Sequence, residues 1–161
     1  MLNEALLQAD NDDRFCTAIC GELRFEDGSV VVTLSNGGHP PPLVRRADGG
    51  HDWLHPNGPL AGFIHHPTFG QHAVRLATGD ALVMYTDGVT ESRSHDDLFG
   101  ESRLGDVVDE QDGRSAEAIG LSILDEVAAF AVAERRDDLA LLIIQVRPAQ
   151  GADPGRTRET T

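Results

Sequence analysis

Apolar residues in this chain are spaced in three different ways, and each spacing predicts a different kind of element. Leu2, Leu6 and Leu7 recur at helical spacing in LNEALLQA, so residues 2–9 read as the end of a helix. Arg14 to Phe25 and Ser29 to Ser35 are instead rich in β-formers and flank Asp27-Gly28, a strong two-residue hairpin signal. Gln71 to Leu76 and Ala81 to Tyr85 read as two further strands joined by the turn ATGD. The second of these, ALVMY, is apolar without interruption, which predicts a strand buried on both faces. LALLIIQV (139–146) has the same character and predicts a last buried strand. Between them, short helices precede a longer amphipathic one that starts at Ser115, a good N-cap. Its Ile119, Ile123, Val127 and Phe130 form one stripe, expected to pack against a sheet.

The remaining segments read as connections. Asp10 to Asp13 is a polar loop, and SNGGHPPPLVRR leads through Gly and Pro into a short strand from Leu43. Asp48 to Gly70 is loop-like, with Trp53 as a packing residue. Glu134 to Asp138 is a polar break, and residues 148–161 have no apolar periodicity and are expected to form a disordered tail. Residues 1–147 then make one domain. Strands cluster together and helices cluster together, so the pattern favours an α+β fold over alternating βαβ units.

Charge narrows the function classes. Asp and Glu number 27 against 13 Lys and Arg, a formal charge of −14, and such a surface repels nucleic-acid phosphates. A phosphorylated substrate would be repelled as well unless cations intervene, which makes divalent metal a natural companion for some of these acids. No run of eighteen apolar residues is present to span a membrane, and the acidic N-terminus does not read as a signal peptide, so a cytoplasmic location is expected.

Cys16 and Cys20 fall on one expected strand, where four residues span about 13 Å, beyond disulfide reach. They are expected to be small buried side chains on one face, not a redox pair. His51, His55, His65 and His66 invite a zinc reading, but HDWLH would bring two of them together only on a helix, and the surrounding Gly and Pro argue against one. Solvent-facing loop histidines are the expectation.

Two places share a more informative character: aspartates at the ends of strongly apolar strands. Asp87 follows ALVMYT, and Asp137 and Asp138 precede LALLIIQV. A strand buried on both faces is rigid and fixes an acid at its end, and fixed carboxylates suit Mg²⁺ or Mn²⁺, which prefer oxygen ligands. Gly88 would allow close approach of backbone or water. Acids at strand ends are also common turn formers, so spacing alone leaves both readings open.

Whole motifs say more than single residues. NGGHPPPL (36–43), GPLAG (58–62), GDALVMYTDGVTESR (79–93), LFGESRL (98–104) and RRDDLALLII (135–144) occur in this order. Together they resemble the bacterial branch of the PPM-type serine/threonine protein phosphatases that contains the stage II sporulation phosphatase and the stress sigma-factor regulators. The resemblance runs from about Leu2 to Val146. It implies an antiparallel β-sandwich flanked by helical layers, and hydrolysis of phosphoserine or phosphothreonine on a regulatory protein, by family analogy an anti-sigma-factor antagonist. It further implies two Mn²⁺ or Mg²⁺ ions that activate a water for in-line attack. Asp87 and Asp137 match the family's metal-binding acids and would act through that water, with Asp138 and Gly88 as weaker ligands. His39 matches a loop near the site, where a shaping role is at least as good a reading as a catalytic one. Arg93, Arg135 and Arg136 lie near the motifs but read as solvated charges, leaving no secure grip on the substrate phosphate.

The resemblance breaks at the start. The family opens with strands carrying a D-x-x-G-H-G motif whose aspartate bridges the two metals, and these 161 residues contain no such motif. Gly37-Gly38-His39 and Gly49-Gly50-His51 lack the preceding aspartate. The chain is therefore expected to start inside the domain and to lack its opening strands. Uncovered sheet edges invite association, with a homodimer as one form of it. A catalytically incomplete module that binds a regulatory protein is the competing reading.

Overall fold

The computed structural model describes residues 2–8, 15–132 and 138–148. A short helix α1 (Leu2–Leu7) precedes strands β1 (Ala18–Glu26) and β2 (Ser29–Gly37). They form the expected hairpin: Asp27 and Gly28 both have positive φ, 35° and 80°, as a two-residue primed turn requires. Short strands β3 (Leu43–Arg45) and β4 (His51–Trp53) are followed by β5 (Gln71–Leu76) and β6 (Ala81–Tyr85). A one-turn helix α2 (Asp87–Thr90) and a tiny hairpin, β7 (Arg93–Ser94) with β8 (Asp97–Leu98), lead to helices α3 (Gly100–Asp109) and α4 (Ala116–Phe130). The last strand is β9 (Leu141–Gln145).

Two antiparallel sheets result, ordered β1-β2-β5 and β4-β3-β6-β9. Alternation along each strand decides which layer it serves. In β2, Val30, Val32 and Leu34 turn into the space between the sheets, where they meet Val74 and Leu76 of β5 and Leu82 and Met84 of β6. The other face of β6, with Ala81, Val83 and Tyr85, packs on α3 and α4. All five residues of β6 are buried, as its uninterrupted apolar run predicts. The α4 stripe is likewise where expected: Ile119, Ile123 and Val127 are fully buried, and the Ser115 hydroxyl accepts a hydrogen bond from the Ala118 N–H at 3.2 Å. The α+β class is thus the one read from the order of elements, and the antiparallel sandwich with helices packed on it is the one the resemblance implies.

Several expectations need correction. The last strand is an edge strand, not a buried one: among the described residues it pairs only with β6, and Leu142 is 58% exposed. Apolar composition tells that a strand is near a core, but not how many neighbours it has. Cys20 is exposed and Cys16 half-buried, because β1 is also an edge and the regular strand begins only at Ala18. Both thiols are free. HDW is a strand, and His51 is no loop histidine: its Nδ1 lies 2.8 Å from an Asp109 carboxylate oxygen on α3. His55, His65 and His66 are exposed, as expected. The polar break at 134–137 and the tail, from Ala149 onward, lie outside the described residues.

Candidate metal centre

The site arises from the pairing of β6 with β9. These strands are antiparallel, with Tyr85 opposite Leu141, so the C-terminal end of one adjoins the N-terminal end of the other. The chain continues past that point on both sides, to Asp87 from one strand and back to Asp138 from the other. Thr86 then ties the two ends together. Its N–H donates to the Ala140 carbonyl at 3.1 Å. Its hydroxyl donates to the Asp138 carbonyl at 2.9 Å and accepts from the Ala140 N–H at 2.9 Å. Three hydrogen bonds from one threonine therefore extend the ladder by a step beyond the regular strands.

Asp87 opens α2 and is exposed, and Asp138 is exposed across the same seam. The structure thus brings the ends carrying these two acids together, from places far apart in sequence. Gly88 is buried, and its carbonyl accepts a hydrogen bond from the Ser92 hydroxyl at 2.7 Å, so part of its acceptor capacity is already used. Asp137, the stronger of the late pair by motif, lies outside the described residues, as do Arg135 and Arg136. Arg93 is exposed. Among the described residues no group of three or more His, Cys, Asp or Glu side chains gathers to hold a metal. The donor set suits a hard divalent ion in kind, since it is carboxylate oxygen, and it is small.

The neighbouring motifs resolve into scaffolding. In NGGHPPPL the Asn36 side chain closes the loop, its Nδ2 donating to the His39 carbonyl and its Oδ1 accepting from the His39 N–H, both at 2.7 Å. The His39 ring shares a 3.1 Å hydrogen bond with the Thr17 hydroxyl. GPLAG packs directly on this loop. A Cβ on Gly58 would collide with the Asn36 carbonyl, so only glycine fits there.

Asp80, from the same motif as Asp87, is legible in the sequence only as a turn residue. Buried at the mouth of the β5–β6 turn, it accepts from the Ala77 N–H (3.0 Å), the Ala47 N–H (2.8 Å) and Arg46 Nη1 (2.9 Å). Arg46 also donates from Nε to Asp52 at 2.7 Å. Partial burial works against the Arg46 charge, but the hydrogen bonds to Asp52 and Asp80 outweigh it and raise the guanidinium pKa. At the end of β6, just before the candidate site, Tyr85 is buried with no hydrogen-bond partner for its hydroxyl among the described residues, and burial pushes its pKa well up, aided by the charge of Glu101. Neither group can be read from the sequence, because both depend on which strands become neighbours.

Comparison with known proteins agrees with this architecture. The sequence profile of stage II sporulation protein E (SpoIIE) matches residues 1–147. The phosphoserine phosphatase RsbP of Bacillus subtilis is 30% identical over 96 residues, which is 59% of this chain and 23% of RsbP. The structure of the RsbU and RsbW domains of Rv1364c from Mycobacterium tuberculosis superimposes with a TM-score of 0.69 at 27% identity, covering 83% of this chain and 37% of that one. The phosphatase domain of SpoIIE from Bacillus subtilis, from manganese-presoaked crystals, gives 0.64 at 16% identity over 91% of this chain and 72% of the other. The chain therefore spans under a quarter of the length of RsbP. With one profile covering its motifs from first to last, this chain belongs to the SpoIIE family of PPM-type phosphatases.

Proposed function

We propose that this chain contributes the Asp87 and Asp137 side of a divalent-metal centre that hydrolyses phosphoserine or phosphothreonine on a regulatory protein, by family analogy an anti-sigma-factor antagonist. The observation that carries the reading is the Thr86 clamp, which holds the two acid-bearing strand ends together at the rim of the sheet. Family membership and the phosphoserine phosphatase relative support the reaction class. When bound, Mn²⁺ or Mg²⁺ would supply charge neutralisation at the phosphoryl group and a more acidic water. The chain's own part is positional: β6, buried on both faces, fixes Asp87, while Thr86 fixes the segment that carries Asp138. Asp137 enters by its place in the motif.

The second reading, a protein-binding module without hydrolysis, has its own support. No D-x-x-G-H-G occurs in these 161 residues, and the described residues gather no cluster of three ligands. Mn²⁺ titration by calorimetry, run beside an aryl-phosphate hydrolysis assay, separates the two. Saturable binding that Asp87→Asn or Asp137→Asn abolishes is the expected result. Absence of binding, or binding indifferent to both substitutions, would remove these acids from the site and leave the module reading.

A further inference from the structure

The sheet β1-β2-β5 ends on β1, and among the described residues nothing pairs with the outer edge of Cys20 to Glu26. Register assigns the faces of this strand. Gly21, Leu23 and Phe25 stand opposite Leu34, Val32 and Val30, so they point to the inter-sheet side, whereas Glu22 and Arg24 point outward. Yet Leu23 is 39% and Phe25 84% exposed. An edge with open backbone groups and apolar side chains on its core face is a template for another strand.

The sequence of this edge reads CGELRFE, and its order of charges is self-complementary. We propose that β1 is the seam of a two-fold symmetric dimer, pairing antiparallel with β1 of a second copy in a register centred on Leu23. In that register Glu22 stands opposite Arg24 of the second copy, and Arg24 opposite its Glu22. Phe25 covers Gly21 of the second copy, an aromatic ring over the position without a side chain, and the two Leu23 side chains meet on the axis. Cys20 faces Glu26 of the second copy. The whole of CGELRFE pairs, and the two three-stranded sheets become a single continuous one.

Other registers are worse for stated reasons. Centring on Glu22 sets that residue against itself. Centring on Arg24 sets arginine against arginine and Glu22 against Glu26. Centring on Phe25 runs the seam into the Asp27-Gly28 turn, where positive φ ends the strand. A shift by one residue would place apolar side chains opposite charged ones on the wrong face. Within one chain Arg24 already reaches Glu22, with Nε 3.1 Å and Nη2 3.3 Å from its carboxylate oxygens. Both are exposed, so pairing across the seam exchanges the one solvated contact in each of the two chains for two directly opposed cross-strand pairs in the dimer. The interface is independent of the phosphatase reading.

Sedimentation equilibrium on the full chain tests this. A dimer with a dissociation constant in about the micromolar range is expected. Because the axis doubles every change, Glu22→Arg or Arg24→Glu alone should weaken it by about tenfold or more. The double substitution Glu22→Arg/Arg24→Glu restores complementarity and should bring affinity back. Circular dichroism melts of the four proteins exclude unfolding as the cause. Independently, Leu23→Cys should form an intermolecular disulfide between the introduced thiols under mild oxidation, identified by peptide mass. A monomeric native chain, which would leave this edge to a strand from another protein or segment, overturns the proposal. So does a dimer whose affinity ignores both single substitutions, or one that the double substitution fails to rescue.

Discussion

Strands β6 and β1 both belong to antiparallel sheets of the same sandwich, yet they occupy opposite situations. β6 has β3 on one side and β9 on the other, a core on each face, and no exposed residue. Among the described residues β1 has a neighbour on one side only, and from Cys20 to Glu26 every residue is exposed. A strand held on four sides can fix the residues just beyond its end, and the acid beyond β6 is the one the family motif marks. A strand held on one side cannot position chemistry with that accuracy but can accept another strand. Placement in the sheet, more than β-propensity, decides which of the two roles a strand can take.

The largest effect should come from β6. Leu82 is fully buried between the sheets, and Leu82→Ala should cost about 3 kcal/mol through lost burial and the cavity left behind. Urea denaturation measures it, and a cost below about 1 kcal/mol would mean that β6 is not held as tightly as its burial implies. Next is Thr86→Val, which keeps the shape and removes the hydroxyl that bonds Asp138 and Ala140. The expected loss of stability is about 1–2 kcal/mol, together with weaker Mn²⁺ binding in the calorimeter. Stability reduced with metal affinity unchanged would separate the clamp from the site.

Much of this arrangement is legible in the sequence, and the failures share a physical cause. The β1–β2 hairpin is marked by Asp27-Gly28, β6 by its apolar run, and α4 by Ser115 and its stripe, all of them local signals. The β7–β8 hairpin escapes sequence reading because strands of two residues carry no periodicity. β4 escapes it because three residues among glycines and prolines look like loop. LALLIIQV reads as buried, and only sheet order makes it an edge. Asp87 is legible as a motif acid at a strand end. The Thr86 clamp and the Asp80 network are not, since each joins segments distant in the chain. Local pattern reveals elements, and adjacency between elements is what brings the candidate site's residues together.

The smallest effect is predicted at the other pole of the comparison. Phe25 is among the largest side chains in β1 but is 84% exposed, so in a solution dilute enough to be monomeric Phe25→Ser should change stability by less than about 0.5 kcal/mol. A phenylalanine that costs almost nothing to remove would show that β1 contributes backbone pairing, not burial, to the single chain. The same substitution in concentrated solution should weaken self-association, because the ring then has Gly21 of a second copy to cover. If instead Phe25→Ser destabilised the dilute chain by about 2 kcal/mol or more, the ring would be buried in solution, and the contrast between a held strand and an open one would disappear.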